Sequence, residues 1–242
     1  MDSYENKALK EMLEWKKKML QEPSSFETAS KSIQNKISSI IPLKVQETIT
    51  ETIKKMVKLV IEGSILTTKE SPEKGTLYVR EKLVKKYIDN YKKTAMLTGA
   101  GTGAGGLIIG MADFPILLSL KLKLLFQIAS AYGYNVNSYK ERLYILHIFE
   151  IAFSSDKKRK EVFEKISDWE AYAKYLPDNM ELFDWRSFQQ EYRDYIDIAK
   201  MLQLVPVIGA PVGAIANYKL VDKLGLTAMN AYRMRIFKPI NN

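Results

Sequence analysis

Ala95-Met-Leu-Thr-Gly-Ala-Gly-Thr-Gly-Ala-Gly-Gly-Leu-Ile-Ile-Gly-Met-Ala112 runs 18 residues without a charged side chain and holds six of the chain's twelve glycines. Gly101, Gly103 and Gly106 fit G-x-G-x-x-G, but a dinucleotide loop needs a strand before it, a helix after it and an acid about twenty residues on. Here the preceding residues have helical spacing, and positions 124–128 read Leu-Leu-Phe-Gln-Ile. A Walker loop fails too, because Leu107 and Ile108 stand where Lys and Ser or Thr are required. Small-residue packing is a second reading. Gly99 and Gly103, Gly101 and Gly105, and Gly106 and Gly110 stand four apart, a spacing that admits a neighbouring backbone and offsets a helix cost of about 1 kcal/mol per glycine. A second uncharged run of 17 residues, Leu202 to Tyr218, repeats the spacing at Gly209 and Gly213. A transmembrane span is the third reading, although 18 helical residues rise only about 27 Å. The fourth is a buried core helix of a soluble domain.

The flanks favour a helical hairpin. Asp113-Phe114-Pro115 follows the glycine segment, then Ile116 to Leu120, Lys121 and Lys123, while Lys85, Lys86, Lys92 and Lys93 stand upstream. A glycine-rich helix, a polar turn and a leucine-rich helix flanked by lysines suit shallow insertion beside anionic headgroups. Asp113 fits the N-cap of the second helix, worth about 1 kcal/mol, or an acid at a cavity mouth.

Outward from this hairpin nearly every segment has the helical period. Leu9, Met12, Leu13 and Leu20 stripe a first helix; Ile33, Ile37, Ile40 and Ile41 a second; Val45 through Ile61 a third; Leu77, Leu83, Val84, Ile88, Tyr91 and Ala95 a fourth. Ser138 and Glu141 have capping-box spacing before Leu143, Leu146, Phe149 and Phe153, and Ser187 and Gln190 repeat it. Gly133 and Gly225 look like left-handed helix stops. Residues 154–186 are charged and weakly periodic, which predicts short surface helices and loops. Period-two alternation is missing. The expected fold is therefore all-α, a single multi-helix domain with two glycine-rich apolar hairpins packed together, preceded by Lys-rich N-terminal helices over 1–70 that pack on the main domain over 71–242.

Composition narrows the chemistry. With no Cys among 242 residues, thiol nucleophiles, disulfides and thiolate metal sites are excluded. The single His, His147, has Glu150 three residues on; the pair fits a weak metal or catalytic site, or a hydrogen-bonded core histidine. No cofactor and no metal are expected. The net charge of +9 is concentrated at the ends, with 19 basic against 13 acidic residues over 1–98 and five against one over 204–242. Only seven of the 37 basic residues are Arg, which points away from nucleic acid and towards an anionic lipid surface. The chain starts with no apolar signal region, so a cytoplasmic location is expected.

The segments Thr98 to Pro115, Ala131 to Gly133, Val207 to Tyr218 and Ala228 to Arg235 together resemble the EcsC family, in the same order over roughly residues 75 to 238. The resemblance implies a cytoplasmic protein at or near the membrane, in the setting of an ABC transporter and protein secretion, with no established reaction. Asn217, Asn230, Tyr232, Arg233 and Arg235 form the polar end of the match, and Asn217, Asn230, Arg233 and Arg235 are, with Lys121 and Lys123, the candidates for binding an anion or a partner. Helix-dipole compensation accounts equally well for the two arginines. The leading expectation is a non-enzymatic accessory protein, peripheral on the inner membrane face. A soluble module binding a lipid or apolar ligand, and a hydrolase using Asp113 or His147, are the alternatives.

Overall fold

Leu77, Glu81, Val84, Ile88, Lys92 and Ala95 recur every three or four residues and are all buried, which gives the first of two long helices its packed face. The computed structural model describes residues 1–21, 55, 58, 62–63, 75–103, 114–154, 156–176 and 209–238. Among these there are seven principal helices and no strand: α1 (Ser3–Met19), α2 (Leu77–Gly103), α3 (Phe114–Ala131), α4 (Tyr139–Phe153), α5 (Asp156–Ser167), α6 (Trp169–Ala173) and α7 (Gly209–Ile236). The all-α expectation holds. Residues 104–113, with Gly105, Gly106, Gly110 and Asp113, lie outside the described residues. So do the Ile33 and Val45 stripes and the Ser187 box.

Helices α2 and α7 share the most extensive contact. They run antiparallel, since Glu81 meets Arg233 and Lys92 meets Asp222. Gly225 is not a stop. It lies inside α7, where a Cβ would come within 2.6 Å of Ile88 Cδ1 and Cγ1. Only hydrogen fits between the two helices there, and that contact replaces the left-handed turn read from the sequence. Gly133 is the stop that was expected: at φ +88° it ends α3 with Gly133 N–H donating to Ser130 O (2.8 Å) and Tyr134 N–H to Ala129 O (3.1 Å).

Helix α4 is buried on nearly every side, not along one apolar face, which makes it the central helix. Ser138 does precede it, but no capping box forms: the Ser138 side chain makes no cap bond, because Glu141 turns inward to Arg235. The reciprocal box occurs instead on α1, between Asp2 and Glu5. The packed line of α1 is Tyr4, Ala8, Met12, Trp15 and Met19, with Leu13 and Leu20 exposed. Aromatic contacts decide this, Trp15 meeting Phe163 edge-on at 5.4 Å. Short helices α5 and α6 do follow α4, yet Phe163 and Trp169 place them in the core as well as on the surface.

Candidate functional site

The α2/α7 pair carries different chemistry at its two ends. At one, Arg233 grips Glu81 with both arms of its guanidinium, Nε to Oε1 at 2.7 Å and Nη2 to Oε2 at 2.6 Å. Glu81 is fully buried and also accepts the hydroxyls of Tyr4 (2.7 Å) and Tyr132 (2.9 Å). Burial pushes this carboxyl up, but the bonds from Arg233, Tyr4 and Tyr132 outweigh it and hold Glu81 below the usual carboxylate value. Arg233 Nη1 reaches Glu11 of α1 (2.9 Å) and Asn230 Oδ1 (3.1 Å).

Two residues on, about half a helical turn round α7, Arg235 donates to Glu141 at 2.7 Å and lies over the rings of Tyr134 and Tyr144 at 3.8 and 4.6 Å. Tyr232 donates to the same carboxylate at 2.7 Å. Here burial wins, and Glu141 is pushed up despite Arg235. Lys238 binds Asp168 and Glu170 of the α6 region at 2.6 and 3.1 Å. Arg233, Arg235 and Asn230 thus spend their hydrogen bonds on internal partners, and their grouping at one polar end follows from the fold.

His147 Nδ1 lies 2.7 Å from Glu150 Oε2, both buried, with Trp169 and Tyr172 edge-on to the imidazole. Among the described residues no three His, Asp or Glu side chains are grouped to hold a metal.

Among the described residues the opposite end is free of charge. Beyond Lys93 in α2, before Lys121 in α3 and before Lys219 in α7, no residue carries one. The antiparallel register brings these three stretches to one end, with Gly99, Gly101 and Gly103 closing α2 and Gly209 and Gly213 opening α7. Exposed there are Leu97 (70%), Ile215 (54%) and Ile116 (51%), with Met96 and Tyr218 beside them. Lys93 and Lys219 are exposed at its base, and Lys123 is half-buried. Lys121, expected beside headgroups, is instead buried, with its Nζ 5.1 Å over the Phe153 ring; burial pushes its pKa down to about 8. Lys92 is buried too, bonded to Asp222 at 2.6 Å with Tyr218 against it. Asn217 is buried, and its Nδ2 has no hydrogen-bond partner.

Glu81, the inward role of Glu141, and Tyr4, Tyr132, Tyr134 and Tyr144 around them were missed from the sequence, whereas Tyr232 stands with the polar end that the sequence did single out. Their signal was present: Glu81 and Lys92 are charges set on the apolar stripe of α2, where burial demands a partner.

The sequence model of the EcsC protein family matches residues 6–237. Protein EcsC of Bacillus subtilis (strain 168) is 46% identical over 231 residues, 95% of each chain. Uncharacterized protein YdbA of the same organism is 30% identical over 171 residues, covering 71% of this chain and 63% of that protein. No solved structure matches.

Proposed function

We propose that this chain, which belongs to the EcsC protein family, is a non-enzymatic accessory protein held peripherally on the cytoplasmic face of the cell membrane by its uncharged end. One observation carries the reading: exposed Met96, Leu97, Ile116, Ile215 and Tyr218 gather on three uncharged helix ends above exposed Lys93 and Lys219. Burying a large aliphatic side chain contributes about 1.5–3 kcal/mol, and a lysine beside anionic lipid about 1 kcal/mol. A few of each suffice for reversible attachment.

The dimensions favour one leaflet. From Lys93 to Gly103, and from Gly209 to Lys219, a helix rises about 15 Å, half of a hydrocarbon core about 30 Å thick. Among the described residues no helix is long and apolar enough to cross a membrane. The family resemblance adds a setting in which an ABC transporter is the proposed protein partner. The hydrolase reading gains nothing from His147, whose ring is committed to Glu150 in the core.

Flotation with vesicles tests the proposal. The protein is expected to float with anionic vesicles, weakly with neutral ones, and to stay in the soluble fraction when Leu97→Ser and Ile215→Ser are combined. Recovery of the unaltered protein in the soluble fraction with both vesicle types would overturn it.

A further inference from the structure

The contacts that tie α1 to the closed end leave from one side of it. Tyr4 donates to Glu81 of α2 (2.7 Å), Glu11 accepts from Arg233 of α7 (2.9 Å), and Trp15 meets Phe163 of α5 edge-on at 5.4 Å. The helix therefore crosses the bundle from α2 past α7 to α5. Its other side is more than a solvated surface. Leu9, Leu13, Lys16 and Leu20 follow one another at intervals of four, three and four residues, the spacing of positions that meet in the seam of a helix pair. Leu13 is 52% and Leu20 42% exposed, Lys16 is exposed and Leu9 half-buried. One exposed leucine is ordinary. Three in register, opposite a face already packed, make a seam that the fold itself does not use.

The margin of this seam carries one sign of charge. Lys10 and Lys17 directly follow Leu9 and Lys16, at the positions that pair with charges of a facing helix, and both are exposed. The opposite margin is Met12 and Met19, which pack on the body. A second copy of α1 would set lysine against lysine, a costly pairing. A bilayer suits leucines and lysines too, but it is out of reach. Tyr4 holds α1 level with Glu81, about 18 Å along α2 from Lys93 at the base of the uncharged end, whereas a headgroup layer is about 5–7 Å deep. This exclusion of lipid rests on the membrane reading above.

We propose that the outward side of α1 docks an amphipathic helix of another protein, apolar on one face and acidic along its margin. Leu13 and Leu20 enter the apolar face of that helix, and Lys10 and Lys17 meet its carboxylates.

The test uses the full chain in vesicle-free buffer, so its outcome does not depend on lipid binding. The probe is a fluorescein-labelled synthetic peptide of three heptads with Leu along the seam and Glu at both margins; its control has Lys in place of Glu. Saturable binding of the Glu peptide that weakens with added salt is expected. Leu13→Ser combined with Leu20→Ser weakens it about tenfold or more, the worth of one buried leucine, and leaves melting unchanged because both side chains are exposed. Lys10→Glu combined with Lys17→Glu turns the preference to the Lys peptide. The pair Leu97→Ser and Ile215→Ser, which removes flotation, leaves peptide binding as it was. Absence of saturable binding, equal binding by the Leu13→Ser and Leu20→Ser pair, or an unreversed preference overturns the proposal. So does slow thiol labelling of Leu13→Cys in the protein alone, which would mean that the chain covers the seam itself. A blue shift of a fluorophore on Leu13→Cys with anionic vesicles overturns it as well, because lipid would then be the occupant.

Discussion

Where Glu81 faces Arg233, α2 and α7 are joined by a two-pronged ion pair and tyrosine hydroxyls; about 27 Å along the same helices, at Gly99, they carry no charge at all. The polar end is closed upon itself. Nearly every donor there has a partner within the chain, and helices α1, α2, α4 and α7 are tied through it. At the uncharged end large aliphatic side chains point into solvent. The same pair of helices thus has one end committed to the fold and one left for something outside it. A buried ion pair adds little net stability compared with apolar packing, but it is costly to break and fixes which helices meet.

The largest expected effect is at the closed end. Arg233→Met strands the Glu81 carboxylate and is expected to cost about 3–5 kcal/mol in denaturant unfolding; Arg233→Lys rescues only part of this because one prong is lost. A cost under 1 kcal/mol would mean that this end does not hold the fold. In the middle of the pair, Gly225→Ala forces its new Cβ against Ile88 and is expected to cost about 1–3 kcal/mol. Ile88→Ala removes all three side-chain carbons that the new Cβ would meet, so the double variant should lose less than the two single losses added together, and purely additive losses would refute the close approach.

The pH dependence separates the ends further. The buried Lys121 has a folded pKa of about 8, below its ordinary 10.5. Between those values the unfolded chain binds the extra proton, so stability attributable to this group rises with pH. Melting followed from pH 8 to 10 should show a gain of about 2 kcal/mol relative to Lys121→Met, and parallel curves would contradict it. Glu81 has the opposite placement. Its depressed pKa contributes stability above the ordinary carboxylate value of 4.5 that is lost as the pH falls through the lower folded value. Smallest of all, Leu97→Ser at the open end should leave unfolding within about 0.5 kcal/mol of the original, since the side chain touches little.

The fold class could be read from periodicity because core helices repeat their apolar residues every three or four positions, as Leu77, Val84, Ile88 and Ala95 do. Gly133 was legible for a local reason, as its stop is made by its own neighbours. Gly225 was not, because what it accommodates is Ile88, far away in sequence. Glu141 failed in the same way. Its spacing from Ser138 announces a local box, and a distant arginine outcompetes it. The open end was the more legible region, since an absence of charge needs no partner to be seen, whereas the Glu81 cluster is defined by residues more than fifty positions apart.

The chain has no cysteine, so one cysteine at a time can be introduced and labelled with an environment-sensitive fluorophore. Leu97→Cys and Ile215→Cys at the open end, and Tyr78→Cys near Glu81, are compared on anionic vesicles carrying quenchers at known acyl-chain depth. The account predicts blue-shifted, quenched emission at residues 97 and 215, at a depth within one leaflet, and unchanged aqueous emission at residue 78. Aqueous emission at all three positions while the protein is bound to vesicles, or burial of residue 78 alone, would contradict it.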